Sequence, residues 1–115
     1  MDRILVIGAT GQLGTAAIRK LKAQGANVRA LVRSADSATR FHSFGIEPVL
    51  GDLTDPASLS RACLGVTTII ATANAAIPTR RTDTFEAVER YGYRNLIQAA
   101  TAARVRRFVY TSAPL

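Results

Sequence analysis

Cysteine and histidine occur once each in this chain of 115 residues, as Cys63 and His42, and tryptophan not at all. One thiol closes no internal disulfide, and one thiol with one imidazole leaves too few soft ligands for a zinc cluster, so no metal site is expected. A lone histidine also gives Ser-His-Asp hydrolysis little support. No apolar run approaches the about 18–20 residues needed to cross a bilayer. The opening MDRILVIGATG lacks the charged, apolar and small-residue succession of a signal peptide. The expected location is cytoplasmic, with no membrane partner. Acidic residues are also few, 8 against 15 Lys and Arg, for a net charge of +7. Such an excess raises nucleic-acid binding as a hypothesis. The candidate clusters, Arg80-Arg81 and Arg104-Arg106-Arg107, have no interleaved aromatics, and no helix-turn-helix or zinc motif accompanies them. Nucleic acid is therefore not an expected partner.

With 48% of its residues apolar, the chain can bury enough surface to fold, and no linker or repeat divides it. Apolar runs of strand length alternate with amphipathic stretches. Arg3 to Ile7 is continuously apolar after its first residue, which suits a strand covered on both faces. From Gly11 to Gln24, Leu13, Ala17, Ile18 and Leu21 recur at helical spacing, with Gly25 as a stop. Val28 to Val32 reads as a second strand, Ala35 to Phe44 as a short helix closed by Gly45, and Ile46 to Leu50 as a third strand. Pro48 has no amide to donate, so that strand belongs at a sheet edge. Asp55 and Pro56 start a helix whose inner stripe is Leu59, Ala62 and Cys63. Val66 to Ala71 is β-branched and strand-like. The longest helix opens with Asp83 and Glu86 at capping-box spacing and carries Phe85, Val88, Gly92, Leu96, Ala99, Ala100 and Ala103 on one face. Arg104, Arg106 and Arg107 stand at its end, where positive charge suits the helix dipole, and Arg107 to Thr111 forms a fifth strand. This βαβαβαβαβ succession predicts a doubly wound parallel sheet of order 3-2-1-4-5. In such sheets, ligands lie beyond the strand carboxyl ends.

Three glycines, Gly8, Gly11 and Gly14, follow the first strand as the helix begins. Gly8 permits the tight turn, Gly11 lets the backbone approach a pyrophosphate, and Gly14 lets the helix pack close to the sheet. Amides around Thr10 to Leu13, with the positive end of the helix dipole, make an anion site. At the end of the second strand, where an acidic residue reads a ribose 2′-hydroxyl, the chain has Arg33. A guanidinium there pairs with a 2′-phosphate, so NADP is expected over NAD; the alternative is a solvated charge, and Asp36 is close enough to serve a ribose. Asp52 and Leu53 follow the third strand and either hold adenine or organise the turn, while Asp55 is assigned to capping. The small, nearly uncharged residues from Ala71 through Thr72 and Ala73 to Ala76 would let a dinucleotide cross the sheet edge, the alternative being an ordinary flexible loop. Cys63 and His42 read as core and surface residues respectively.

Taken together, G-A-T-G-Q-L-G after I-L-V-I, A-L-V-R-S, G-D-L-T-D-P-A-S-L, G-Y-R-N-L-I-Q-A-A and R-V-R-R-F-V-Y-T-S resemble the N-terminal portion of the atypical short-chain dehydrogenase/reductases, especially the NmrA-like NAD(P)-binding branch. The resemblance implies an incomplete Rossmann domain over residues 1–115 of an oxidoreductase, with family members continuing beyond. It places Gly8, Thr10, Gly11, Gln12 and Leu13 at the pyrophosphate and Arg33 at the 2′-phosphate. It further implies Asp52 and Leu53 at adenine, and Ala71 to Ala73 beside the ribose and nicotinamide. Ser112 aligns with the family's strand-end serine, which can orient a substrate carbonyl, the alternative being a turn residue.

Short-chain reductases often use a Tyr-x-x-x-Lys pair, in which lysine and cofactor lower the phenol pKa. Here Tyr91, Tyr93 and Tyr110 are followed four residues later by Asn95, Ile97 and Pro114, and the only lysines are Lys20 and Lys22. That departure keeps open a second reading, a non-catalytic module that senses NAD(P) and signals to a partner. The substrate is an unidentified small molecule. Phe108, Val109 and Tyr110 on a fifth strand at the sheet edge predict self-association of the chain.

Overall fold

The computed structural model describes residues 2–72 and 85–111. Five parallel strands, β1 (Arg3–Ile7), β2 (Asn27–Val32), β3 (Glu47–Leu50), β4 (Thr68–Thr72) and β5 (Arg107–Thr111), form one sheet in the order β3-β2-β1-β4-β5. Between them run α1 (Gln12–Ala23), α2 (Ala35–Ser43), α3 (Pro56–Cys63) and α4 (Phe85–Ala102). The expected topology is the observed one.

β1 is central, and its apolar run is explained by cover on both sides. Leu5, Val6 and Ile7 are all essentially inaccessible. Leu5 and Ile7 join Leu31, Leu59, Ile69 and Leu96 in a core under α3 and α4, whereas Val6 joins Ile18, Ala30, Val32, Phe41 and Ile46 under α1 and α2. β3 closes one edge, where Pro48 stands opposite Ala30 and its missing amide costs no inward ladder bond. β5 pairs with β4, setting Phe108 opposite Ile69 and Tyr110 opposite Ala71.

Several boundaries differ from the sequence expectation. Gly11 and Gln24 cap α1 rather than belonging to it, and Phe44 caps α2. β3 starts at Glu47 and β4 at Thr68, each later than its apolar run, because Ile46 and Val66 turn into the core before ladder pairing begins. The expected arginines are absent from the last turn of α4: Arg104 lies beyond it in a left-handed turn (φ 60°), and Arg107 opens β5. The Asp83 half of the expected capping box lies outside the described residues.

Arg29 shows what the strand reading missed. It sits in β2 with only 5% of its surface exposed, facing the α3 side. Its Nη1 donates to the carbonyls of Ala62 (2.7 Å) and Leu64 (2.8 Å), and its Nε to Glu47 Oε1 (2.9 Å). The last carbonyls of a helix lack partners within the helix. Arg29 supplies them at the end of α3, and those bonds in turn make its burial tolerable. Cys63, also fully buried there, has its thiol pKa raised by burial despite the nearby Arg29 charge, as suits a packing residue rather than a nucleophile. Among the described residues, no helix is long and apolar enough to cross a membrane.

Candidate functional site

The turn from β1 into α1 is shaped by contacts at two glycines. Gly8 has φ +81°, and a Cβ there would collide with Thr72 Oγ1 at the end of β4. Thr72 is wholly buried and donates from that hydroxyl to the Ile7 carbonyl (3.0 Å), clasping the turn from beneath. Gly14 lets the first turn of α1 lie against the strand end, because a Cβ would run into the Gly8 carbonyl oxygen. Gly11 differs: its φ of −75° is open to any residue, so the conformation does not demand glycine. Its amide donates to the Gly8 carbonyl (3.1 Å), and Thr15 Oγ1 donates to the Ala9 carbonyl (3.0 Å), which stitches the loop to the helix.

The N-terminus of α1 has no side-chain cap and no acidic residue in its first turn. α2 and α3, by contrast, are capped by Ser34 and Asp55, which accept from the amides of Ser37 and Ala57. The amides of α1 are thus left to an outside acceptor at the positive end of the helix dipole. They adjoin a cleft of about 250 Å³ at the carboxyl ends of β1, β2 and β3. Gly8, Thr10 and Gly11 line one side of it, and Arg33, Asp52 and Leu53 the other. The sequence reading had named all six.

Arg33 follows β2 directly and keeps 63% of its side chain exposed, with Nε 4.0 Å from Asp52 Oδ2. The Asp52 carboxylate accepts from both the amide and the hydroxyl of Thr54 through Oδ1 (2.8 Å each). Burial works to raise its pKa, but the two Thr54 bonds and the Arg33 charge outweigh it and hold the carboxyl below its ordinary range. Ser58, buried beneath, accepts from the Asp52 amide (3.0 Å) and donates to the Asp55 carbonyl (2.8 Å). Leu53 is 4% exposed, and its carbonyl receives Asn95 Nδ2 from α4 (2.9 Å). The loop after β3 is therefore pinned from both sides.

The other expected site residues among those described do not line this cleft. Gln12 and Leu13 open α1, with Gly14 buried behind them. Ala71 and Thr72 have no exposed surface, so neither presents its side chain to the cleft; Thr72 instead holds the glycine turn. Ala73 and Ser112 lie outside the described residues. Two residues were missed. Ser37 lines the cleft beside Arg33 from the first turn of α2, a place that Ser34 at cap spacing foretells. Asn95 acts from a helix 42 residues away along the chain, with no local signal to betray it.

A parallel sheet whose first strand turns through glycines into an uncapped helix, with a cleft at its carboxyl edge, defines a Rossmann-type dinucleotide-binding domain. More specifically, the chain belongs to the NAD(P)H-binding family, whose model matches residues 8–115. The resemblance to atypical short-chain reductases is thereby borne out. The photosystem II assembly factor Ycf39 of Cyanophora paradoxa is 38% identical over 109 residues, which are 95% of this chain and 33% of that protein. A short-chain dehydrogenase/reductase superfamily protein of Agrobacterium tumefaciens, solved with bound NAD, is 35% identical with a TM-score of 0.76, over 95% of this chain and 32% of the other. The NADPH-dependent quinone oxidoreductase QOR2 of Escherichia coli, solved with NADPH, is 32% identical with the same TM-score of 0.76, over 95% and 36% respectively. The chain spans about a third of the length of the curated relatives it matches.

Proposed function

We propose that the chain is the NADP(H)-binding part of an oxidoreductase, with the cleft receiving the adenosine half of the cofactor. The observation that carries this reading is the convergence, in one cleft, of uncapped α1 amides with an exposed Arg33. The amides suit a pyrophosphate, and the guanidinium suits a 2′-phosphate. Asp52 and Leu53 offer a carboxylate and an apolar surface for adenine. A volume of about 250 Å³ fits one nucleotide half better than a whole dinucleotide. The cofactor, when bound, supplies the hydride chemistry; these residues bind and orient it. Ser112 is the candidate for orienting a substrate carbonyl, and further substrate contacts and any proton donor are assigned to the rest of the full-length protein, since the relatives are about three times as long.

Calorimetry with NADPH and NADH tests the assignment. Arg33 contributes about 1.5–3 kcal/mol to a charged hydrogen bond, and the lower end applies at an exposed site. NADPH is expected to bind roughly tenfold more tightly than NADH, and Arg33→Ala to abolish that preference. Equal affinities in the native protein, or a preference surviving in Arg33→Ala, would refute it.

The sensing module is the second reading, and the absence of a Tyr-x-x-x-Lys pair from residues that span a third of the relatives' length does not by itself favour it. NADPH oxidation by the full-length protein with quinone or carbonyl substrates separates the two readings. Self-association is supported by the outer strand β5, where Phe108, Val109 and Tyr110 are 38%, 39% and 45% exposed. A strictly monomeric 115-residue chain in light scattering would contradict it.

A further inference from the structure

On the α3 side of the sheet the two helices pack on one another, but α1 and α2 stand apart across a groove of about 510 Å³. Its floor is Ile18, Phe41 and Ile46, all less than a tenth exposed. Phe44 forms a wall and leaves 63% of its surface in solvent. The backbone at this position only caps α2, through its amide to the Phe41 carbonyl, and nothing in that role asks for an aromatic side chain. Along the rim stand Arg19, Lys22 and Arg40.

No carboxylate lines the groove, and among the described residues none of these three cations forms an ion pair. Glu47, next in sequence to the floor residue Ile46, turns its carboxylate to Arg29 on the opposite side of the sheet. Lys22 Nζ donates to the Gly45 carbonyl (3.1 Å) and the Arg40 guanidinium lies 5.7 Å from the centre of the Phe41 ring, so both retain uncompensated charge. An apolar trough edged by like charges lacks one thing, an occupant that is apolar on one face and acidic at its flanks. A second copy is a poor match, since the chain carries +7 and its own groove has no acid to offer. On the α1 side, Thr15, Ile18, Arg19 and Lys22 recur at i, i+3, i+4 and i+7, a two-turn stripe that a helix laid alongside can follow.

We propose that the groove between α1 and α2 docks a protein partner through an amphipathic helix with acidic flanks, Phe44 being the apolar anchor and Arg19, Lys22 and Arg40 the charge complement. This face lies away from the nucleotide cleft, apart from the first turns of the two helices, and does not depend on how the cleft is read.

The test pans a random 16-residue peptide display library against the full-length protein, then measures the enriched peptides by fluorescence anisotropy. The expected consensus has apolar residues at helical spacing and Asp or Glu beside them. Its binding should fall at least tenfold in Phe44→Ser and in the double variant Arg19→Glu/Arg40→Glu, and fall steeply with salt. All three side chains are solvent-facing, and far-UV circular dichroism with unchanged NADPH affinity checks that the variants remain folded. Enrichment of no peptide, a consensus without acids, or affinities unmoved by these substitutions would overturn the proposal. So would binding of anionic phosphatidylglycerol vesicles that is lost in the same variants while the peptides are not bound, since the groove would then serve a lipid surface.

Discussion

Gly11 and Gly14 stand three residues apart in one turn, yet their substitution should fail in opposite ways. In Gly14→Ala the new methyl meets the carbonyl oxygen of Gly8, a backbone atom that moves only if α1 backs away from the sheet. Over-packing of this kind costs about 1–3 kcal/mol, and the upper half applies where the obstacle is backbone. The gain in helix propensity returns about 1 kcal/mol. A net loss of about 1–2 kcal/mol remains, which lowers Tm by roughly 4–8 °C in a domain of this size. Gly11→Val meets no conformational bar at φ −75°. Exchanging a fair N-cap for a poor one costs about 1 kcal/mol. Gly11 itself lines the cleft beside the α1 amides, so added bulk there should hold a pyrophosphate off one of them, on the order of 10–100-fold in NADPH affinity. Thermal melts and calorimetry on the same two proteins separate the effects. The reasoning is refuted if Gly11→Val binds NADPH within twofold of the native protein, or if Gly14→Ala melts at the native temperature.

Two further outcomes follow from the buried and half-buried charges. Arg29→Met leaves the Ala62 and Leu64 carbonyls without their donor, and urea unfolding should show a loss of about 2–4 kcal/mol, given about 1–3 kcal/mol per buried unpaired group. A change below about 0.5 kcal/mol in that measurement would show that water replaces the guanidinium. The pKa of Asp52 is lower in the folded than in the unfolded chain. Its contribution is therefore fully present above the ordinary carboxylate range and is lost as pH falls through the lower folded value. Asp52→Asn should flatten the fall in urea midpoint between pH 5 and pH 3, and identical acid slopes in the two proteins would contradict this.

Much of this architecture is written locally. The unbroken Leu5-Val6-Ile7 run announced a strand covered on both faces, Pro48 announced an edge, and Asp55-Pro56 announced the start of α3; each depends on neighbours within a few residues. The candidate cleft was legible for the same reason, since Gly8, Arg33 and Asp52 stand at strand ends and the topology alone brings strand ends together. Interactions between distant segments were not legible. Arg29 read as one charge in a strand until the end of α3 was seen to need it, and Asn95 read as one residue of a long helix until Leu53 was found beneath it. Thr72 reads as one of a run of small residues, and its hydroxyl's bond to the Ile7 carbonyl, 65 residues away along the chain, has no local signal. The lengths of β3 and β4 were overestimated because apolar runs mark burial, and burial at Ile46 and Val66 begins before pairing does.

The central claim, that the α1 amides and Arg33 together receive the phosphates of NADPH, is tested most directly by a crystal structure of the protein with NADPH. Pyrophosphate oxygens are expected within hydrogen-bonding distance of the Gln12 and Leu13 amides, and the 2′-phosphate against the Arg33 guanidinium. A 2′-phosphate left in solvent away from Arg33, or a pyrophosphate bound elsewhere than the α1 N-terminus, would contradict it.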